Sequence, residues 1–302
     1  MGRVEFSISL NVNEALKETA VKGLEAERGE LDQVWVGDHP DQRYPAIAAG
    51  LIAENTRRIR IGLGPLSPFL HPAQHISGMF KTLVEAYGPR FDLCLVPGDR
   101  LKLGSVGVTY EGGLQNGMLD ALKIMREGLS NQGIETCIWL GAQGPETLRI
   151  SVGFDGVLLN LSDPEMIRVM IDGSSLRRYM EHSDFKVGIF FPSYIHRFYD
   201  PEIQRSAEEA ALQVILGASK AILKSYELEG LVKDMGEASP RGIPREVLRK
   251  FHVSMPVHRL SEYIDTVSDM GVSHFAFAFP QNSRIDLIRD LAYAVKLIRG
   301  RG

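Results

Sequence analysis

Cysteine is scarce: the 302 residues include two, Cys94 and Cys137. Neither stands in a metal-ligand spacing, and each lies in an apolar, strand-like run. Both are therefore expected to be reduced core residues of a cytoplasmic protein, not disulfide or zinc partners. Long hydrophobic runs are also missing. No stretch of about eighteen apolar residues occurs, which excludes a helix of bilayer length. The start, MGRVEFSISL, lacks the basic-then-apolar pattern of a secretory signal, so none is expected. Charge of one sign is lacking too, and a net charge of −4 gives no general attraction to nucleic acid or anionic membrane. There is no G-x-G-x-x-G between a strand and a helix, no Walker A sequence and no G-x-S-x-G elbow. His71 and His75 stand four apart, but Pro72 between them points to a helix entrance, and no metal is expected.

What is present is a rhythm. Eight short apolar runs recur: Arg3–Leu10, Gln33–His39, Arg58–Leu66, Phe91–Asp99, Thr136–Gln143, Phe154–Leu161, Phe185–Ser193 and His274–Pro280. Near-continuous apolar runs of this length are expected of parallel strands buried on both faces. Helical stretches separate them at Asn13–Arg28, Pro45–Asn55, Pro72–Tyr87, Leu114–Leu129, Pro145–Val152 and Pro164–Met180, and Ile285–Arg299 follows the last. Strict alternation implies a parallel sheet, because parallel neighbours need crossover connections. Eight such units in one chain predict a single (β/α)8 TIM barrel domain over residues 1–302, with an open doubly wound sheet as the rival. Residues 194–273 break the rhythm and read as a helical insertion between strands seven and eight, packed on top of the barrel. Its expected helices are Glu202–Tyr226, Glu227–Met235, Pro244–Phe251 and Leu260–Met270.

In such a barrel the chemistry comes from the C-terminal strand ends. Strand two ends in Gly37-Asp38-His39, strand three in Gly62-Leu63-Gly64-Pro65, strand four in Pro97-Gly98-Asp99, strand five in Gly141-Ala142-Gln143-Gly144, and strand six in Asn160. Glu5 lies within strand one, where a carboxylate among apolar residues must be paired, hydrogen-bonded or protonated. Each residue also has a structural reading: Asp99 as a cap, Asp38 and Gln143 as loop hydrogen-bonders, Glu5 as the partner of an interior cation, His39 as a satisfied imidazole. Together they place acids, an imidazole and an amide around one rim, with glycines that permit close approach of a flat ring.

These rim sequences carry a resemblance. Val34–His39, Arg58–Gly62 and Pro97–Asp99 resemble the bacterial luciferase-like superfamily. Gly141–Leu148 (GAQGPETL) and Phe154–Pro164 (FDGVLLNLSDP) are similar to one branch, the coenzyme F420-dependent methylenetetrahydromethanopterin reductases of methanogenic archaea. The resemblance runs over residues 1–165 and returns at the last strand and helix. It implies a deazaflavin, reduced F420, lying in the barrel mouth against a bulge that contains a cis peptide, here Gly64–Pro65. It places Asp38, His39 and Gly98 beside the cofactor, and Gly141, Ala142, Gln143 and Gly144 at its phosphate tail. It maps the family's acids onto Glu5 and Asp99. Hydride would pass to the methylene carbon of a small-molecule pterin, with Glu5 protonating the departing nitrogen and Asp99 as its partner. The connection Gly128–Glu135 is shorter than in the branch, so the substrate side of the pocket is expected to differ. An FMN-dependent luciferase-like monooxygenase or reductase, and a non-catalytic flavin-binding paralogue, are the alternatives. The resemblance also implies a homodimer or homotetramer, with faces near Ile47–Ile52 and Pro72–Leu83.

Overall fold

The computed structural model describes residues 3–11, 13–39, 42–98, 103–104, 106–108, 113–230 and 243–300. Each of the eight apolar runs contains a strand: β1 (Glu5–Leu10), β2 (Gln33–Val36), β3 (Arg60–Leu66), β4 (Phe91–Leu95), β5 (Ile138–Ala142), β6 (Gly156–Leu159), β7 (Lys186–His196) and, last, β9 (His274–Ala278). All pair in parallel, and pairing of β6 with β7 and of β9 with both β7 and β1 closes an eight-stranded barrel. The rival open sheet is thereby excluded. Helices α1 (Leu16–Arg28), α2 (Pro45–Asn55), α3 (Ala73–Tyr87), α4 (Leu114–Ser130), the short α5 (Pro145–Leu148), α6 (Pro164–Asp172) and α7 (Leu176–His182) follow the first six strands. The stretch read as one helix over Pro164–Met180 is two, broken at Gly173-Ser174-Ser175.

The segment 194–273 is not purely helical. β7 continues to His196, and α8 (Pro201–Leu216) is capped by Asp200, whose carboxylate accepts from the Glu202 and Ile203 amides. Gly217 then ends the expected Glu202–Tyr226 helix, and α9 (Lys220–Ser225) starts afresh from the Ser219 cap. The expected helix Glu227–Met235 lies largely outside the described residues. After α10 (Arg245–Leu248) comes a ninth strand, β8 (Val253–Pro256), in parallel register with Ser193–His196. Four residues ending in proline carry too little periodicity to announce a strand; the overhang of β7 makes it one. Then α11 (Leu260–Ser268) leads to β9, and α12 (Ile285–Arg299) ends the fold. Among the described residues no helix is long and apolar enough to cross a membrane.

Side chains alternate in and out along each strand, so the barrel interior is built in tiers. The waist is filled by Trp35 and Trp139, fully buried, edge to face at 6.3 Å and 87°. Cys94, Leu158 and Ala276 pack around them. Glycine makes room: a Cβ on Gly62 would overlap the Trp35 ring, and one on Gly156 would stand 3.0 Å from the Trp139 ring. Burial in this apolar packing pushes the Cys94 thiol up to about 12, which keeps it protonated.

Below the waist lies a polar floor made by the first residues of the strands. The Arg60 guanidinium donates to Glu5 Oε2 at 2.8 Å and to Gln33 Oε1 at 3.0 Å, and Gln33 donates to Asp92 at 2.8 Å. His274 joins Glu5 to the waist. Its Nε2 lies 2.7 Å from Ser7 Oγ and receives the Trp35 indole N–H at 3.2 Å. An indole only donates, so the imidazole proton sits on Nδ1, facing Glu5 Oε2 at 3.3 Å. Burial alone would raise the Glu5 carboxyl, but the His274 hydrogen bond and the Arg60 charge outweigh it and hold the group at about 2. Burial dominates at Asp92 and pushes that carboxyl up.

Two outcomes follow from the tiers. Gly62→Ala should destabilise the fold by about 3 kcal/mol in denaturant unfolding, because the added methyl meets a ring that cannot retreat; an unchanged midpoint would refute the tight waist. Glu5→Gln should cost about 2 kcal/mol at pH 7. The folded carboxyl lies at about 2 against an ordinary 4.5. Its stabilisation is therefore complete above the unfolded value and is lost as pH falls through this window. The difference between wild type and variant should close between those two pH values, as urea titrations at several pH values would record.

Candidate functional site

Above the waist the alternation brings Ser9 of β1, Gly37 after β2, Gly64 of β3, Gly141 of β5 and Ala278 of β9 into one tier, with Val96 against Gly141 and Phe190 of β7 packed on the waist; this tier is the cup. Five side chains this small take up little of the volume over the indoles. The expected cis bond at Gly64–Pro65 is present, at a point where the β3–β4 register shifts between Leu63 and Leu66. Gly64 has φ +135°, and a Cβ there would overlap the Cys94 carbonyl, so glycine is required by both conformation and space. Across from it, the Ser67 hydroxyl donates to the Pro97 carbonyl at 3.0 Å and holds the β4 turn, in which Gly98 has φ +87°. Asp99, the next residue, lies outside the described residues.

Asp38 follows β2, and its side chain is almost fully buried. It lies 2.8 Å from His71 Nε2. His71 comes from the loop between β3 and α3, with the Tyr44 ring packed edge-on at 5.9 Å. Neighbouring strands bring these loops together. The sequence reading treated His71 only as part of a helix entrance. The adjacency of strand ends two and three was the signal that could have found the pair. His39 follows Asp38 at the same rim and is half-buried.

On the opposite side, Gly141 and Ala142 are buried at the end of β5, and Gly144 starts α5. Gln143 Oε1 accepts from the Ser219 amide at 3.1 Å, so the insertion reaches down onto this loop through the start of α9. A Cβ on Gly144 would stand 2.5 Å from Ser219 Oγ, so that loop too depends on a glycine. With its oxygen engaged, Gln143 turns its Nε2 donor to a buried position, and neither it nor the buried Asn160 Oδ1 has a partner among the described residues. The Asn160 amide bonds to the Ala142 carbonyl at 2.8 Å, so the two side chains stand on adjacent strand ends. A buried donor and a buried acceptor left unsatisfied on adjacent strand ends are costly in a protein interior.

Glu5 does not belong to this group. It is the first residue of β1, five residues before the C-terminal end, which at about 3.3 Å per residue places it roughly 16 Å below the rim. The two indoles stand between. Its partners are Arg60 and His274 of the floor, so its assignment as the acid beside a ring in the mouth is corrected to a structural ion pair.

Comparison with known proteins agrees with this geometry. A model of the luciferase-like monooxygenase family matches residues 5–252. A 5,10-methylenetetrahydromethanopterin reductase of Methanolobus tindarius is 28% identical over 240 residues, covering 72% of this chain and 73% of its own. One of the same name from Archaeoglobus fulgidus is 23% identical over 292 residues, covering 84% and 87%. The solved coenzyme F420-dependent tetrahydromethanopterin reductase of Methanopyrus kandleri superposes with a TM-score of 0.84 at 16% identity, over 96% of this chain and 98% of that one, and so shares its fold. With the family model running from the first strand into the insertion, over more than half of the chain, the chain belongs to the luciferase-like monooxygenase family.

Proposed function

We propose that this protein is a coenzyme F420-dependent oxidoreductase that passes hydride between reduced F420 and a methylenetetrahydromethanopterin-type pterin. The observation that carries the reading is the buried, unpartnered pair of Gln143 Nε2 and Asn160 Oδ1 beside a glycine-lined cup. The dione ring of a deazaflavin offers the carbonyl and N–H that such a pair lacks. The names of the two relatives at 28% and 23% identity favour F420 and a pterin over other choices.

The residues fit that cofactor. Gln143 and Asn160 would hold the ring edge. Gly64 and Pro65 would support one face, with Gly98 beside it, and the turn at Gly141, Ala142 and Gly144 would take the tail. The bound cofactor supplies the hydride. The chain supplies position and protons. Trp35 and Trp139 close the barrel beneath the ring and keep water from reaching it from below. Two flat rings stacked in a fixed cup remove most of the orientational cost of transfer. The proton for the departing nitrogen comes from the rim and not from the floor. Asp38 fixes the tautomer of His71 through the 2.8 Å contact, and the imidazole held this way, with His39 at the same rim, is the proton carrier nearest the cup.

Fluorescence titration with oxidised F420, and separately with FMN, tests the cofactor. Micromolar binding of F420 without FMN binding is expected, followed by turnover of methylenetetrahydromethanopterin. Tight FMN binding without F420 binding would move the protein to the flavin-dependent reading, and binding of neither would leave the non-catalytic one. Gln143→Ala and Asn160→Ala should each weaken F420 binding five- to tenfold, about 1 kcal/mol for a lost hydrogen bond. Asp38→Asn should lower turnover about a hundredfold while leaving F420 affinity within about twofold; unchanged turnover would remove the Asp38–His71 pair from the chemistry.

A further inference from the structure

A second cavity, of about 740 Å³, opens where β8 is added to the barrel wall. Its sides are the ends of β6 and β7, the strand β8, and the faces of α8 and α10. That volume is in the range of small-molecule sites and exceeds what one inorganic ion fills. Its charge is uneven. Arg205, Arg245, Arg249 and Lys250 face it against Asp163 and Glu208. Lys250 is already engaged, 3.4 Å from Asp163 and 3.3 Å from Glu165, and Asp163 also accepts from the Tyr226 hydroxyl at 2.7 Å. The guanidinium groups of Arg205, Arg245 and Arg249 have no hydrogen-bond or ion-pair partner among the described residues.

A second observation comes from the wall itself. His196, the last residue of β7, lines the cavity with 9% of its surface exposed, and its Nδ1 is buried without a partner. Its ring is held between Tyr194, centroids 4.6 Å apart, and Tyr199, 5.6 Å apart. By contrast, His252 is satisfied. It lies 2.9 Å from the Leu248 carbonyl through Nδ1 and 3.3 Å from Gln204 Nε2 through Nε2, and Gln204 in turn receives the Ser254 hydroxyl. That chain ties α8, α10 and β8 together, so the arginines stand on a braced frame. Planar guanidinium forks that line one cavity are a donor set for phosphate or carboxylate oxygens.

We propose that this cavity is an anion-binding annex that takes the phosphate- or carboxylate-bearing end of the substrate whose ring enters the mouth. Ser162, on the annex wall, is two residues from Asn160 at the mouth, a span of roughly 7 Å. The link to the mouth rests on the functional reading above; the presence of an anion site does not.

The test reads binding directly. Isothermal titration of the full chain with inorganic phosphate and with citrate should give saturable binding that weakens as salt rises. Arg205→Gln/Arg249→Gln should weaken it at least tenfold, with an unchanged circular dichroism spectrum. Both arginines are exposed, so the double variant keeps the fold. His196→Phe, which keeps the ring stack, should weaken it about threefold. Citrate should raise the KM for methylenetetrahydromethanopterin without altering F420 affinity. No saturable binding, or binding unaffected by the double variant, overturns the annex. Displacement of citrate by F420 overturns its assignment to the substrate and gives the site to the cofactor tail. A protein inert with F420 that still binds citrate through these arginines separates the two readings.

Discussion

Everything in this barrel depends on how its waist is filled. Two indoles meet edge to face inside a ring of eight strands, and the ring accepts them only because Gly62 and Gly156 carry no side chain. A packed waist of this kind divides the interior into compartments that do not communicate. Below it, Glu5, Arg60 and Asp92 can be buried, because they find partners among the first residues of neighbouring strands. Above it, small residues leave a cup. The division explains how one interior holds an ion-pair network at one end and small, uncharged residues at the other, with no conflict between their electrostatic demands.

Much of this was legible in the residues. Eight apolar runs separated by helical stretches specify a closed parallel barrel, and Gly64-Pro65 at the end of β3 marks the irregular bond in the cup. The depth of a residue along its strand was harder to see. Alternation says whether a side chain points inward, but not whether it faces the floor or the mouth. Glu5 was placed on the wrong side of the waist for that reason, although its position at the start of β1 held the answer. His71 was missed because its partner Asp38 is 33 residues away, joined to it by strand order and by no spacing a motif could express. β8 was missed because its pairing edge exists only where β7 overhangs β6.

The insertion does more than lengthen the chain. Through Ser219 it holds Gln143 in the orientation that leaves a donor free, and through β8 it raises the wall on one side of the mouth. The rim of the cup is therefore shared between the barrel strands and a segment that stands outside barrel closure. Such an arrangement lets a family keep one ring-binding site while the region that meets the rest of a ligand changes.

Trp35 and Trp139 are the two tryptophans of the chain, and both lie at the bottom of the cup. The tryptophan emission of the molecule thus originates at a single place. One indole N–H is bonded to His274, and the other finds no partner among the described residues. The barrel carries its own optical probe, seated under the site where a chromophoric ring would rest and close enough to transfer excitation to it.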